Sequence, residues 1–533
     1  MEKISESNIV IYDEDIIQTY EYIDVIKMEE GYRIHNICSG LILRVDSFSA
    51  YLISILKEQT CFSALLSTIK NDLSNMEIDV DLIKGVIEYF LDLGIVRLCR
   101  RKYNTKVLLI NPCYRYSNNV YREISIVPPL GILYIATELF NAGYDVTILD
   151  MLLMDMRPDE LETYVKKNKP DLVGISMNFT STADVCYEIA HNLKAIGIKH
   201  IFVGGNHATF TYQDAIEKED IDYVVRYQGE KTVLELADIV RRESWDELRE
   251  CKGLVYKKEK EIFLNEVREN ADINERSVPA WHLLDIFKYK EDNRWSINTS
   301  QGCPCACVFC STSAFNDKMY FMNVNNIMML LKKICRIEGG KRISISFSDD
   351  AFTCNRQRII KLCNRIISEN VKIVWACSTR VDLVDRELLD IMYKAGCRAV
   401  LFGIESCCNE TLKKVGKKID IERAEKAINL AKEVGMKVKE MFILGLPYET
   451  KESTEKIEEF VRKTKPDEVR FGMLSIYPGT PIWNNSEKYG INLLTRNWGD
   501  YDLLRPTSEN SQMSGTEIYE QYIKLTEIYE NID

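Results

Sequence analysis

The sequence predicts an α/β protein: a doubly wound sheet, then a partial six-unit barrel, with a small α+β module in front. Two observations carry this. Apolar runs of strand length alternate with helix-period segments from residue 105 to about 240, and again from 295 to about 482. The first strand of the second series runs directly into "QGCPCACVFC", residues 301–310, which holds Cys303, Cys305, Cys307 and Cys310. A chain of 533 residues exceeds one compact core and leaves room for several units.

Residues 1–100 read as a separate winged-helix-like module. "YEYIDVIKMEEGYRIHN" and "LILRVD" are expected to form short strands, with Gly31 and Gly40 at turns. Asp46 or Ser47 caps a helix "SAYLISILKEQ", and "FSALLSTIKNDL" and "VDLIKGVIEYFLDLG" follow as amphipathic helices, the last closed by Gly94. The module is acidic and has no basic recognition helix, so it does not read DNA.

Residues 105–245 form the doubly wound unit. "KVLLINP" is a near-continuous apolar run, as a parallel strand buried on both faces requires. "DVTILD", "DLVGISM", "HIFVGGN" and "DYVVRY" are the next four strands, with helices such as "PLGILYIATELFNAGY" between them. Ligands of such sheets sit beyond the carboxyl ends of the strands. Residues 246–294 are charged and weakly periodic and read as a connector. In 295–482 the strands are "WSINTS", "ISISFSD", "KIVWACS", "AVLFGIES", "KVKEMFILG" and "EVRFGMLS". Six βα units give an open barrel, short of the eight-fold closed form. Residues 483–533 are an irregular extension ending in a helix near 515–530.

Totals narrow the function. A formal net charge of −12 argues against a nucleic-acid partner. No apolar run reaches the roughly 18 residues a membrane span needs. The acidic start "MEKISESNIVIYDEDIIQ" lacks a signal-peptide core, so a cytoplasmic location is expected. The 17 cysteines, an odd number without a secretion signal, argue against a disulfide framework and for a metal site or buried thiols. None follows Cys408.

Three readings compete for the cysteine loop. Structural zinc needs two separated ligand pairs, and no second pair lies at useful spacing. Unliganded core thiols are the plain alternative. An iron–sulfur cluster held by thiolates fits best. Active sites of such barrels gather at the strand carboxyl ends, where this loop falls.

The spacing Cys303-x3-Cys307-x2-Cys310 resembles the signature of the radical S-adenosylmethionine (SAM) superfamily. The resemblance implies that these three thiolates hold three irons of a [4Fe–4S] cluster. SAM chelates the fourth iron, and its reductive cleavage yields a 5′-deoxyadenosyl radical. Phe309 fits the aromatic residue that relatives place beside adenine, and Cys305 is read as a non-ligand. Later strand ends match the family in order over about 295–482. Asp349 and Asp350 in "FSDDAFT" resemble the acidic motif near the SAM ammonium, which needs acceptors beside it. A helix N-cap pair is the alternative for them. Arg380 in "STR" is expected at the SAM carboxylate. Glu405 in "GIES" is expected at a ribose hydroxyl or at Arg380. Leu444 and Gly445 in "FILGLPYET" are expected at adenine, and "YPGTP", 477–481, matches the family's ending.

The unit at 105–245 resembles the cobalamin-binding domain often fused before this barrel, through "PPLGILYIATELFNAGYDVTILD", "PDLVGISM" and "VGGNHAT". The resemblance places Asn178, Thr180, Ser181, Gly204, Gly205, His207, Gly229 and Glu230 near the nucleotide tail of the corrinoid. "YQGE" departs from the family's "GEGE"-like form. No histidine lies in a D-x-H-x-x-G motif, so the cobalt is expected base-off without a histidine ligand. A flavodoxin-like fold for another nucleotide is the alternative.

The N-terminal pattern resembles PqqD-like domains, which bind the leader of a ribosomally made peptide as an added strand. A module used only for packing is the alternative. Together these resemblances imply a cobalamin-dependent radical SAM C-methyltransferase acting on an unactivated carbon of such a peptide. Its cofactors would be a [4Fe–4S] cluster, SAM and cobalamin, and its partners a precursor peptide and a flavodoxin- or ferredoxin-type reductant, with no nucleic acid and no membrane. Cyclisation or rearrangement, or methylation of a small molecule, are the alternatives within the family. A cluster-based sensor is the alternative outside it, and the acidic and arginine positions at strand ends argue against that.

Overall fold

The structure is a computed structural model. It describes residues 16–19, 23–28, 31–36, 41–57, 60–73, 79–92, 95–99, 102–113, 126–259, 261–290, 294–316 and 318–530. Gly40 and Gly94 lie outside the described residues.

Among the described residues, the front module has three helices and six short strands in two three-stranded sheets, where the sequence pattern suggested fewer strands. Strand Ile16–Thr19 pairs antiparallel with both Thr60–Cys61 and Val96–Cys99. Strands Ile23–Lys27, Tyr32–Asn36 and Leu41–Val45 form an antiparallel meander that turns at Gly31. Asp46 caps helix Ser47–Ile55, accepting from Ser49 N at 2.7 Å. The apolar stripes of the helices, Leu52, Phe62, Leu65, Ile69, Ile87 and Phe90 among them, close on one core. Phe140 of the next unit joins that core, so the module is docked rather than tethered.

The doubly wound sheet runs, in spatial order, Glu261–Leu264, Leu254–Lys258, Tyr223–Val225, His200–Gly204, Leu172–Ser176, Lys106–Asn111, Asp145–Asp150. The last five are parallel; the first two add antiparallel. The order reverses between Lys106–Asn111 and Leu172–Ser176, and a crevice opens at such a point. Residues 246–294, read from the sequence as a connector, supply those two antiparallel strands. They also supply Trp281, Leu284, Ile286 and Tyr289 to the barrel core. Weak periodicity hid this because these residues pack between two units and follow no single face.

All six barrel strands form one parallel sheet in chain order: Ser296–Ile297, Ile343–Phe347, Ile373–Thr379, Cys397–Glu405, Lys437–Leu444 and Glu468–Met473. Alternate residues are buried against the helices, and those between face the lumen half-exposed. The extension covers the last strand: helix Gly515–Glu530 packs there with Ile518 and Leu525 in the core. Leu133 of helix Leu130–Ala142 also enters the barrel core, and Tyr289 OH donates to Asp150 Oδ2 at 2.6 Å. The two sheets are thus locked to each other by buried contacts. Among the described residues, no helix is long and apolar enough to cross a membrane.

Candidate active site

The cysteine loop is pinched at its base and clamped at its crown. Ser300–Gln301 pair with Tyr320–Phe321. Gly302 sits at φ +85°, and a Cβ there would lie 2.6 Å from Lys318 O, so only glycine fits. Val308 N donates to Val415 O at 3.0 Å, and Ile482 N donates to Val308 O at 3.2 Å. Gly416, at φ +76°, lets Ala306 O approach to 2.6 Å of where a Cβ would be. Cys307 is buried; Cys303, Cys305 and Cys310 are half-buried. Burial pushes the Cys303 thiol up to about 12 and Cys307 up to about 11, the latter opposed by Lys417 and Arg380. Loading a metal must therefore displace protons from these thiols. Among the described residues, no three His, Cys, Asp or Glu side chains converge closely enough to share one metal ion. Thiolates that each hold a separate iron stand further apart. Phe309 packs beside Val415, Leu446, Leu474 and Ile482.

The strand-end residues divide. Asp349 is buried and already saturated: Thr299 N, Thr299 Oγ1 and Ser300 Oγ all donate to it, with Arg358 at 4.0 Å. Burial pushes its carboxyl up against those hydrogen bonds. It ties the segment after the first barrel strand to the end of the second. Asp350 is exposed and accepts from Thr312 Oγ1 at 3.0 Å, on the helix that follows the cysteines. Arg380 is buried in an ion pair with Asp382 (2.8 Å) and donates to Lys417 O at 2.7 Å. It does not meet Glu405.

Glu405 instead accepts from Lys417 Nζ at 2.8 Å through Oε1, while its Oε2 is buried without a protein partner. Its backbone is left-handed, at φ +71°, where the strand pairing slips by one residue. That turns the carboxylate across the strand, and Glu405 Oε1 lies 2.6 Å from where a Cβ on Gly403 would be. Nothing in "VGKK", residues 415–418, marks Lys417 as part of this site. Leu444 is fully buried, and Gly445 N donates to Glu449 Oε2 at 2.7 Å. Burial pushes the Glu449 carboxyl up to about 8, against the N–H groups of Gly445 and Leu446.

At the carboxyl edge of the doubly wound sheet, Thr180, Ser181 and His207 come together, all buried. His207 Nδ1 lies 3.2 Å from Thr180 Oγ1, and its Nε2 has no partner; nor has the buried Oδ1 of Asn206. Burial pushes His207 down to about 4, so the ring is neutral near pH 7. Gly205, at φ +114°, lets its backbone approach Asn178, whose Oδ1 accepts from Asn206 N at 3.3 Å. A Cβ at Gly204 would lie 3.3 Å from Val225 O, and one at Gly229 would lie 3.1 Å from Ile135 Cδ1, so the backbone is closely approached at both glycines. Glu230 pairs with Arg276 at 2.9 Å. Trp498 of the C-terminal extension stands edge-on to His207, centroids 4.8 Å apart, and Gly499 N donates to Asp184 Oδ2. Nothing near Trp498 in the sequence marks it as part of this edge.

The two edges meet. Gln228 of "YQGE" lies 3.0 Å from the Gln301 amide, two residues before Cys303. Turning that amide end for end gives its oxygen to Arg276, at 2.6 and 3.0 Å. Phe315, just past the cysteines, packs on Tyr227 and Phe210, and Gly479 of "YPGTP" makes room for the Phe210 ring.

A model of the radical SAM superfamily matches residues 297–461, and one of the B12 binding domain matches residues 125–237. An uncharacterized methyltransferase of Pyrococcus horikoshii is 34% identical over 398 residues, 73% of this chain and 85% of the relative. An anaerobic magnesium-protoporphyrin IX monomethyl ester cyclase of Rubrivivax gelatinosus is 26% identical over 434 residues, 78% of this chain and 76% of the relative. The fold is similar to that of the radical SAM methyltransferase TsrM of Kitasatospora setae, solved with cobalamin and a [4Fe–4S] cluster bound. The TM-score is 0.63 at 17% identity, over 81% of this chain and 89% of that one. The cofactors that go with this pairing of domains are a [4Fe–4S] cluster, SAM and cobalamin. The site fits them: thiols on a clamped loop, an orphaned buried carboxylate oxygen at a strand end, and orphaned His207 and Asn206 atoms at the facing edge. The chain belongs to the B12-binding radical SAM methyltransferase family.

Proposed function

We propose that this enzyme transfers a methyl group to an unactivated carbon of a ribosomally synthesised peptide. The observation that carries the reading is the junction of the two edges, where Gln228 and Phe210 meet Gln301 and Phe315 and bring the two candidate cofactor sites side by side. When bound, the cluster with SAM supplies a hydrogen-abstracting radical, and cobalamin supplies the methyl group. The protein's part is to hold, orient and exclude water.

Cys303, Cys307 and Cys310 are the iron ligands, and Cys305 stands beside them. Asp350 is the exposed acceptor for the SAM ammonium. Glu405 Oε2 accepts from a ribose hydroxyl, which satisfies its missing partner. Phe309, Leu444 and Gly445 border adenine. Arg380, engaged by Asp382, fixes the Lys417 loop and adds positive charge near the SAM carboxylate. Asn178, Thr180, Ser181, Gly204, Gly205, His207, Gly229 and Glu230 shape the seat of the corrinoid tail. A flavodoxin- or ferredoxin-type protein supplies electrons.

The peptide reading is supported by the edge strand Ile23–Lys27. Among the described residues it pairs on one side only, with Tyr32–Asn36, and exposes Ile26 and, just beyond, Met28. An added strand would satisfy that edge. A second reading, cyclisation, is favoured by the likeness to the Rubrivivax cyclase. The test is anaerobic turnover with SAM deuterated at its methyl group and a precursor peptide encoded beside this gene. Deuterium in the peptide is expected. Peptide change without deuterium would favour cyclisation. Deleting residues 1–100 should abolish peptide modification and spare SAM cleavage; equal loss of both would overturn the peptide role.

A further inference from the structure

One buried ion pair stands against the cysteine loop. Lys417 Nζ and Glu405 Oε1 are 2.8 Å apart, with side chains 8% and 9% exposed. Gly416, immediately before the lysine, places its carbonyl 3.9 Å from Cys307 Sγ. The loop that carries this buried ion pair therefore stands directly against Cys307.

Burying an ammonium costs several kcal/mol, and a single carboxylate rarely repays it. An apolar pair of similar volume would serve packing at lower cost. The position makes sense if more negative charge lies in front of the pair. Three thiolates and their cluster carry net negative charge, and one added electron increases it. An ammonium so placed favours the reduced form; the neighbouring carboxylate disfavours it.

We propose that Lys417 and Glu405 are a charge-balancing pair that sets the reduction potential of the cluster held at Cys307. This rests on the assignment of the cysteine loop as the cluster site. Lys417 acts through the cluster's surroundings and is a positioning residue.

The test is an EPR-monitored redox titration of the full chain, reconstituted anaerobically and free of SAM, using dithionite and mediators, with iron per chain measured beside it. Lys417→Met should lower the potential by at least a tenfold change in the reduced-to-oxidised ratio, about 59 mV for a one-electron couple. Glu405→Gln should raise it, and the double variant should return toward the wild-type value. Lys417→Arg should hold it. Single variants that shift in the same direction, or that leave the potential unmoved with iron intact, overturn the proposal. If Lys417→Met takes up no iron, Glu405→Gln decides alone, and a downward or absent shift overturns the proposal. A wild-type chain without iron would be seen before any titration; it would remove the cluster assignment and this proposal with it.

Discussion

Gly416→Ala should loosen the cysteine loop without touching a cysteine. Two costs arise. The backbone at φ +76° is left-handed, which costs a residue with a Cβ about 1–2 kcal/mol. The new Cβ would lie 2.6 Å from Ala306 O and 3.4 Å from Ala306 C, both main-chain atoms that cannot rotate away. Overpacking of that kind costs about 1–3 kcal/mol. The clamp between residues 415–417 and 306–308 should weaken by about 2–5 kcal/mol. Val308 N–H, which donates to Val415 O at 3.0 Å, reports on that clamp. Its hydrogen-exchange protection in the metal-free chain should fall by roughly 30-fold at the lower bound. Iron uptake on reconstitution should fall with it. Gly85→Ala is the control: nothing lies within 4 Å of that helical position, so it should stabilise by about 1 kcal/mol and leave Val308 unchanged. Wild-type protection at Val308 together with full iron uptake in Gly416→Ala would refute the reasoning.

Cys307→Ala should abolish iron uptake while Cys305→Ala keeps it; iron lost from Cys305→Ala would overturn the ligand assignment. Trp498→Ala should weaken retention of hydroxocobalamin at least tenfold, measured by ultrafiltration, whereas His207→Ala should leave the base-off absorption spectrum in place. Equal retention in Trp498→Ala would separate the extension from the cofactor seat. Glu440 is fully buried with neither carboxyl oxygen partnered, and burial pushes it up to about 8. The folded chain thus keeps a proton that the unfolded chain releases near 4.5, so stability present at pH 4 is lost as pH rises toward 8. Glu440→Gln should remove that loss, gaining on the order of 3–5 kcal/mol over wild type at pH 9 in urea melts. An unchanged pH slope would show that Glu440 does not titrate as its burial requires.

The parallel strands of both large sheets were legible because they are buried on one or both faces, and burial writes itself into local patterns. "KVLLIN" and "LVGIS" needed no partner to be recognised. The segment 246–294 was less legible. Its apolar residues, Trp281, Leu284, Ile286 and Tyr289, fill a seam between two units and obey the period of neither. Asp349 and Asp350 looked alike in sequence, yet one is walled in by Thr299 and Ser300 and the other faces outward. Side-chain direction alternates along a strand end, and neighbours in sequence meet different surroundings.

The cysteine spacing, the order of strand-end motifs and the parallel topology were determined by the sequence alone, since each depends on residues close together in the chain. The partners of those residues were decided only by the tertiary structure. Glu405 meets Lys417 rather than Arg380 because a slipped register and a left-handed backbone turn it across the strand. Trp498 reaches His207 from nearly three hundred residues away because the extension crosses back over the first sheet. Long-range contacts of this kind leave no local periodicity, so the charge balance and closure of the site became visible only once the chain was folded.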